Sequence, residues 1–412
     1  MKNHLTPLEK KWILYDVANS AFTMMVSTII PIYFNQLSKQ AGISEVDYLA
    51  YWGYTISLTT VLVALLGPVL GAAADRGRHK KSFFAVTIVL GAAGCAALGA
   101  AREWLVFLAV FCIVKVLYSL SLVIYDSTLV DVTTQERMDN VSSQGYAWGY
   151  IGSCVPFIAC LLLVLFAEKI GISQMLALSL SMVITALWWG LVSVPILKSY
   201  QQKNFLTGEE ERKGILQQLG ISLRDLFENK KILLFLLAFF FYIDGVYTII
   251  DMSTAYGTAL GLGTTDMLLA LLVTQFVAFP CALLYGRLAQ KGMAQKLILA
   301  AIAAYTGIAV FAIFMNAAWQ FWVLAVVVGM FQGGIQSLSR SYFTKIIPAD
   351  RSGEFFGFYD ICGKGASFIG TTVMSLVSQA TGVANYGVGV IAVFFLIGLI
   401  LFVMSTRVEA AA

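Results

Sequence analysis

Along this chain apolar residues gather in uninterrupted runs of about twenty, the length a helix needs to cross a hydrocarbon layer. The runs lie near 12–35, 51–74, 82–101, 104–125, 145–167, 175–197, 232–256, 266–289, 297–315, 318–341, 355–380 and 385–406. They predict an all-α integral membrane protein of twelve transmembrane helices embedded in a lipid bilayer. Only one break is long, the polar stretch Lys198–Lys231. Within it Leu216, Leu219, Leu223, Leu226 and Phe227 recur at helical spacing beside charged neighbours, so an interfacial helix is expected there. The break divides the runs six and six, giving an N-terminal bundle over 1–197, a linker over 198–231 and a C-terminal bundle over 232–412.

Composition removes the soluble alternatives. Hydrophobic residues make up 59% and charged ones 12%, with mean hydropathy +0.81, whereas soluble domains carry about 25% charged residues. The net charge of +4 is scattered among loops, not gathered into the basic face that nucleic acid requires. Its distribution instead orients the chain. Lys39, Arg102 and Lys169 fall on one side and Lys115 and Lys364 inside runs; the rest of the 27 lysines and arginines belong to the side of the termini and linker. Basic residues resist translocation, so both termini are expected in the cytoplasm, at the cell (inner) membrane if the source is bacterial. The first run is long and carries Asp16 and Asn19, which suits a retained span better than a cleaved leader. Cys95, Cys112, Cys154, Cys160, Cys281 and Cys362 all lie in apolar runs without metal-ligand spacing, so neither disulfides nor a metal site is expected.

A repeat crosses the two halves. Gly71-x-x-x-Asp75-Arg76-Gly77-x-x-x-Lys81 is matched by Gly286-x-x-x-Gln290-Lys291-Gly292-x-x-x-Lys296, each between the second and third runs of its half. Glu136-Arg137 before Gly145 is likewise matched by Asp350-Arg351 before Gly357. A glycine that lets helices approach, an acid at a helix end and a basic cluster make an interdomain latch, or simply a positive anchor. The residues concerned are Gly71, Asp75, Arg76, Gly77, Arg78 and Lys81, with Arg340 at the end of the tenth run; Gln290 puts the second copy in doubt as a latch.

The run Gly71-Ala72-Ala73-Ala74-Asp75-Arg76-Gly77-Arg78-His79-Lys80-Lys81 resembles the signature loop between helices 2 and 3 of the major facilitator superfamily. Further motifs are Trp12-x-x-Tyr15-Asp16-x-Ala18-Asn19-Ser20-Ala21, Tyr242-x-Asp244-Gly245, Gln332-Gly333-Gly334-x-Gln336-x-x-Ser339-Arg340-Ser341 and Glu354-Phe355-Phe356-Gly357-x-Tyr359-Asp360. Together they resemble the vacuole-effluxer-like group. The resemblance implies the major facilitator fold, two pseudo-symmetric six-helix bundles rocking about a cavity lined by helices 1, 4, 7 and 10. It also implies a monomeric secondary transporter of a small-molecule substrate, with amino-acid export as the guide. Multidrug, lipid or peptide-like cargo, and a transport-dead receptor, stay open.

Ionisable residues in the runs mark candidate chemistry, since each needs a partner or water at a cost of roughly 2.5–3.5 kcal/mol. Asp16, Asn19, Thr23 and Ser27 share one face of the first helix. Lys115, Ser119 and Asp126 follow on the fourth, with Tyr118 beside them; Asp244, Tyr247, Thr248 and Asp251 lie on the seventh, and Gln332, Gln336 and Arg340 on the tenth. Lys115 is the expected counter-charge of Asp16 or Asp244. Asp360 and Lys364, four apart on the eleventh helix, can pair locally, with Ser367 and Thr371 continuing their face. Protons are the expected coupling ion, through Asp16, Asp244 or Asp360. No G-x-x-x-x-G-K-[ST] loop is present for an ATP-driven pump. An enzyme is not expected, because His4 and His79 are the only histidines and no nucleophile has a paired base. No cofactor is implied.

Overall fold

The computed structural model describes residues 4–259, 264–315, 317–382 and 384–408. The side chains of Asp251 and Ser367 lie outside what it describes. Twelve long helical rods run through the described residues. The first, α1, has two pieces, Pro7–Ser27 and Ile29–Gln40. It is followed by α2 (Glu45–Ala74), α3 (Lys80–Leu98), α4 (Trp104–Ser127), α5 (Met138–Leu165) and α6 (Gln174–Ser199). After a linker helix, Ile215–Glu228, come α7 (Lys230–Ala259), α8 (Thr264–Leu288), α9 (Ala294–Ile313), α10 (Ala318–Ile346), α11 (Ser352–Thr381) and α12 (Ala384–Arg407).

Among the described residues, length and hydropathy alone mark ten segments able to cross a membrane. One of them, Leu269–Ile313, holds both α8 and α9, separated where Lys291 and Gly292 leave helical geometry, Gly292 at φ 79°. The 30-residue α11 is not among the ten; Glu354, Asp360 and Lys364 lie on it. The twelve expected spans therefore stand, but α5 begins at Met138 and not at 145. The residues Met138, Asp139, Asn140, Val141, Ser142 and Ser143 that start it are buried. This polar run is helical because another element satisfies it.

Local chemistry accounts for the ends and breaks. Thr6 caps α1 reciprocally: its hydroxyl accepts from Glu9 N at 3.2 Å, and Glu9 Oε2 accepts from Thr6 N at 2.7 Å. Arg137 then donates to the same carboxylate at 2.6 Å, tying the start of α1 to the start of α5. The break at Thr28 (φ −131°, ψ −76°) precedes Pro31, which has no N–H to offer the Ser27 carbonyl one turn back.

Helix neighbours repeat along the chain. α1 packs on α5 and α6, α2 on α4, and α3 on α6; six helices later α7 packs on α11 and α12, α8 on α10, and α9 on α12. One apolar core gathers buried side chains from Trp12 to Tyr200, and another gathers those from Leu226 to Phe402 together with Val123. The linker helix adds Leu226 to the second core and leaves Leu216, Leu223 and Phe227 exposed. Between the two sets, α2 lies on α11, and α5 on α8 and α10.

The α2–α11 crossing is backbone on backbone. A Cβ on Gly71 would collide with the Gly353 carbonyl, and one on Gly357 would sit 2.5 Å from Pro68 Cα. Gly286 of α8 faces Ser143 of α5 in the related place, where a Cβ would come within 2.7 Å of Ser143 Cβ. Gly307 of α9, in contrast, has open space around it. Overpacking typically costs about 1–3 kcal/mol, so Gly357→Ala is expected to lower the melting temperature in detergent and Gly307→Ala to hold or raise it. Equal melting points for the two variants would refute the close crossing.

Candidate functional site

The two helix sets enclose a cavity of about 740 Å³. It reaches from the level of Asp16, Asp126 and Arg340 to Pro31, Trp52, Phe321 and Val388 near the end of the rods away from the termini. The stripe Asp16, Asn19, Thr23 and Ser27 lines it, as do Lys115, Tyr118, Tyr247, Thr248, Gln332, Gln336, Asp360 and Lys364. Among the described residues its charged lining is balanced: Asp16, Asp126 and Asp360 against Lys115, Arg340 and Lys364.

Arg340 organises the floor. Reaching from α10, it donates through Nη2 to Asp16 Oδ2 at 3.1 Å and through Nη1 to Asp126 Oδ1 at 2.9 Å. Its Nε donates to Ser142 Oγ at 2.9 Å and Nη2 also to the Ser142 carbonyl at 3.0 Å. The planar guanidinium lies 4.8 Å from the centre of the Trp12 ring and 4.4 Å from that of Tyr146, the stacked, forked geometry that arginine supports and lysine does not. Tyr125 adds a hydroxyl donated to Asp16 Oδ2 at 2.8 Å. One cation thus serves two carboxylates, with aromatic walls and serine filling the remaining bonds.

This corrects the expected pairing of Lys115 with Asp16 or Asp244. Lys115 lies about three turns before Asp126 on α4, roughly 16 Å along the axis at 1.5 Å per residue, too far from the level where Asp16 sits. Its ammonium lies 5.6 Å from the Tyr118 ring centre. Asp360 and Lys364 do pair, at 2.5 Å. Asp244 is not in the cavity lining: it is buried between α7 and α11, where Oδ1 accepts from Thr248 Oγ1 and from Gly370 N, each at 3.2 Å.

Below the floor, the loop after α2 reaches across. Asp75 is fully buried; Oδ1 accepts from Gly353 N and Oδ2 from Glu354 N, both at 3.0 Å. A carboxylate of one helix set thereby caps the N-terminus of a helix in the other, where free N–H groups and the helix dipole favour negative charge. Lys80 closes the arrangement, 3.0 Å from Asp75 Oδ1 and donating to Ser352 Oγ at 2.7 Å. Of the expected loop residues, Gly71 and Asp75 meet α11. Arg78 instead lies over Phe205 of the linker at 4.9 Å, and Lys81 donates to the Lys198 carbonyl at 3.5 Å. The Arg76 backbone bridges to Leu206, and Gly77 adopts φ 49° at the turn.

Sequence reasoning missed Lys80 as the crossing cation, and it missed the start of α5. Asp139 there accepts from Ser341 Oγ at 2.7 Å and Lys345 Nζ at 2.6 Å of α10. Ser142 donates to the Ser337 carbonyl at 2.7 Å. The signal available was the density of small polar residues in both segments.

Comparison with known proteins follows the same lines. The chain matches the family described as vacuole effluxer Atg22 like over residues 8–411. It is 40% identical over 407 residues to the uncharacterized MFS-type transporter YxiO of Bacillus subtilis (strain 168), covering 97% of this chain and 95% of that one. Autophagy-related protein 22-1 of Neosartorya fischeri is 24% identical over 290 residues, 63% of this chain but 46% of the fungal protein. Among solved structures, the E. coli fucose:proton symporter FucP superposes with a TM-score of 0.74 at 16% identity, over 98% of both chains. A bacterial homologue of the iron transporter ferroportin in an outward-facing state gives 0.73 at 14% identity, over 97% of this chain and 100% of that one. At such identities these structures speak for the fold alone.

The floor carries its own test. Removing one partner of a buried ion pair typically costs about 3–5 kcal/mol, so Arg340→Met should lower thermal stability markedly. Adding Asp16→Asn and Asp126→Asn should recover most of the loss. Additive losses in the triple variant, read from melting temperatures, would refute the shared-cation arrangement.

Proposed function

This chain belongs to the vacuole effluxer Atg22-like family of major facilitator transporters, and from that premise we propose that it moves a small zwitterionic solute of amino-acid type by alternating access. The observation that carries the reading is the balanced cavity lining, three acids and three bases among the described residues, contributed by α1, α4, α10 and α11. A buried charge is tolerated only when compensated. A solute bearing one carboxylate and one ammonium can exchange partners with Lys115, Asp360 and Lys364 without changing the net charge of the cavity. A solute with a single charge leaves one wall group uncompensated. Tyr118, Tyr247, Gln332 and Gln336 supply apolar rings and amide or hydroxyl bonds around the same space.

Basic residues on the side of the termini favour a cytoplasmic location for both termini and the linker, in the cell membrane. On that orientation the cavity opens outward, and the closed end is cytoplasmic. Asp75, Lys80 and the Arg340 cluster would then be the contacts that separate when the opposite state forms. The effluxer relatives favour export, with cargo released from the state described.

The test is transport by the purified full chain in liposomes, with radiolabelled leucine, alanine and tyrosine set against lactate and a monovalent organic cation. At least one zwitterion should move, and Lys115→Met and Asp360→Asn should each slow it by about tenfold or more, a loss of about 1.4 kcal/mol or more. Movement of only singly charged or neutral solutes would overturn the zwitterionic reading.

A further inference from the structure

Helices α9 and α10 do not close fully against each other. Between them lies a second, smaller cavity of about 320 Å³, walled by Ala304, Gly307, Ile308 and Phe311 of α9 and by Val323, Leu324 and Val327 of α10. The α9 residues recur at i, i+3, i+4 and i+7 and the α10 residues at i, i+1 and i+4, so each set lies on one helix face. Ala304 and Gly307 leave α9 thin at this level, and a Cβ on Gly307 would meet nothing within 4 Å. In the first half the corresponding contact, α3 on α4, is filled: a Cβ on Gly94 would lie 2.6 Å from Val114 Cγ2. The groove therefore departs from the packing repeated between the halves.

Chemistry narrows what can fill it. Every residue of its wall is apolar. Of the two hydroxyls nearest in the chain, Thr306 Oγ1 donates to the Ile302 carbonyl at 2.9 Å, and Tyr305 is fully buried with its ring stacked on Phe395 of α12; neither lines the groove. Water needs two or more polar partners to be held, and an apolar cavity of about 150 Å³ stays dry and takes up benzene. This one is roughly twice that size, and it calls for a longer hydrocarbon.

Position narrows it further. Phe311 and Val323 are exposed, as are Val310, Phe314 and Trp319 around them. Exposed apolar side chains on a membrane span meet lipid, so the groove is continuous with a face the bilayer covers. Trp319 stands one turn before Val323, at the end of the rods away from the termini. An indole ring there sits at headgroup level, and the groove begins just below it. At that depth the bilayer supplies the alkyl part of a phospholipid acyl chain.

The back of the groove is the wall of the solute cavity. Ile308 and Leu324 line both spaces, so a single layer of side chains separates bilayer from cavity here. α9 and α12 reach the cavity through Ile308, Ala312, Val388 and Ile391, whereas their first-half counterparts α3 and α6 contribute none of its described lining. The thin wall belongs to the second half. An empty groove would leave Ile308 and Leu324 without packing partners on one side, forfeiting dispersion contacts.

We propose that the α9–α10 groove is a binding site for one acyl chain of a phospholipid in the leaflet away from the termini, and that the bound chain completes the packing behind Ile308 and Leu324 and so braces the cavity wall. The site takes the alkyl chain and does not select a headgroup. The inference needs only a membrane-embedded chain and is independent of which solute it carries.

The first experiment places the full chain in liposomes containing phosphatidylcholine with a photoactivatable diazirine on the upper half of one acyl chain, and maps the label by peptide mass spectrometry. Label should concentrate on Phe311, Val323 and Val327, several-fold above that on Leu58 of α2 and Val393 of α12, which are exposed in the same half of the rods. Gly307→Leu fills the groove from within and should remove the excess while leaving the label on α2 and α12 unchanged. Equal labelling of all these surfaces in the wild type, an excess that survives Gly307→Leu, or exclusion of label from this face, as a second copy of the chain packed there would cause, overturns the proposal. Should Gly307→Leu fail to fold, Val327→Phe fills the groove from α10 and the same readings decide.

The second experiment reads the brace. Phosphatidylcholine added to lipid-depleted protein in detergent should raise the melting temperature of the wild type by more than that of Gly307→Leu, because a ligand stabilises only a state with room to bind it. An equal gain in both overturns the brace.

Discussion

The closed end of this molecule depends on one guanidinium. Arg340 stands between two carboxylates from the other helix set, Asp16 and Asp126, and all three are largely withdrawn from water. Each would cost several kcal/mol alone at this depth, so they are tolerable only as a group. Trp12, Tyr125 and Tyr146 close around them and keep the local dielectric low, which strengthens every attraction inside the cluster. The same enclosure makes the arrangement conditional. The two helix sets can part here only if water or other charged groups replace what the partners supply, which favours two discrete states over a graded deformation.

Asp75 works under a different constraint, distance. A carboxylate can cap a helix of the opposite set only where the two backbones nearly touch, and Gly71, Gly353 and Gly357 bring them that close. Glycine sets the separation, the separation allows the cap, and Lys80 compensates the buried charge. At the related crossing of α5 and α8 the close approach survives as Gly286 against Ser143, but Gln290 brings no charge. The acid there is Asp139, on α5, and its partners Ser341 and Lys345 come from α10. The halves thus share a packing plan while their polar chemistry has diverged.

That history explains what could be read from the chain. Lipid forces backbone groups to be satisfied within each segment, so the twelve runs are visible as length and hydropathy, and the Gly71 to Lys81 repeat as residue identity. Stripes such as Asp16, Asn19, Thr23 and Ser27 could be placed on one helix face because helical spacing fixes it. Spacing does not say which neighbour that face meets, and this is where the expectations failed. Lys115 looked like a partner for Asp16 until the helix crossings put Arg340 at that level. Asp244 shared a face with Thr248, yet a turn of the helix separates the cavity wall from the interface behind it. The start of α5 read as a loop because its polarity is satisfied by α10; the small polar residues of the two segments are visible in the chain, but their pairing is not.

A chain of contacts joins the upper cavity to the floor, and it gives the charge layout a physical consequence. Lys115 lies over the Tyr118 ring; the Tyr118 hydroxyl hydrogen-bonds Thr23 at 2.6 Å and reaches Asn19 Oδ1 at 3.5 Å. Asn19 in turn donates to the Tyr15 carbonyl at 2.9 Å and reaches Asp16 Oδ1 at 3.5 Å, and Asp16 holds Arg340. The two longest links are at the limit of hydrogen bonding and the others are short, so the weak points lie on either side of Asn19. On the zwitterionic proposal, a solute carboxylate that draws Lys115 from the ring acts on Tyr118, and this chain carries its effect to the floor through the Asn19 amide. The floor cluster is strong and the relay above it is soft. That is the order required if solute binding is to bias the closed end without dismantling it.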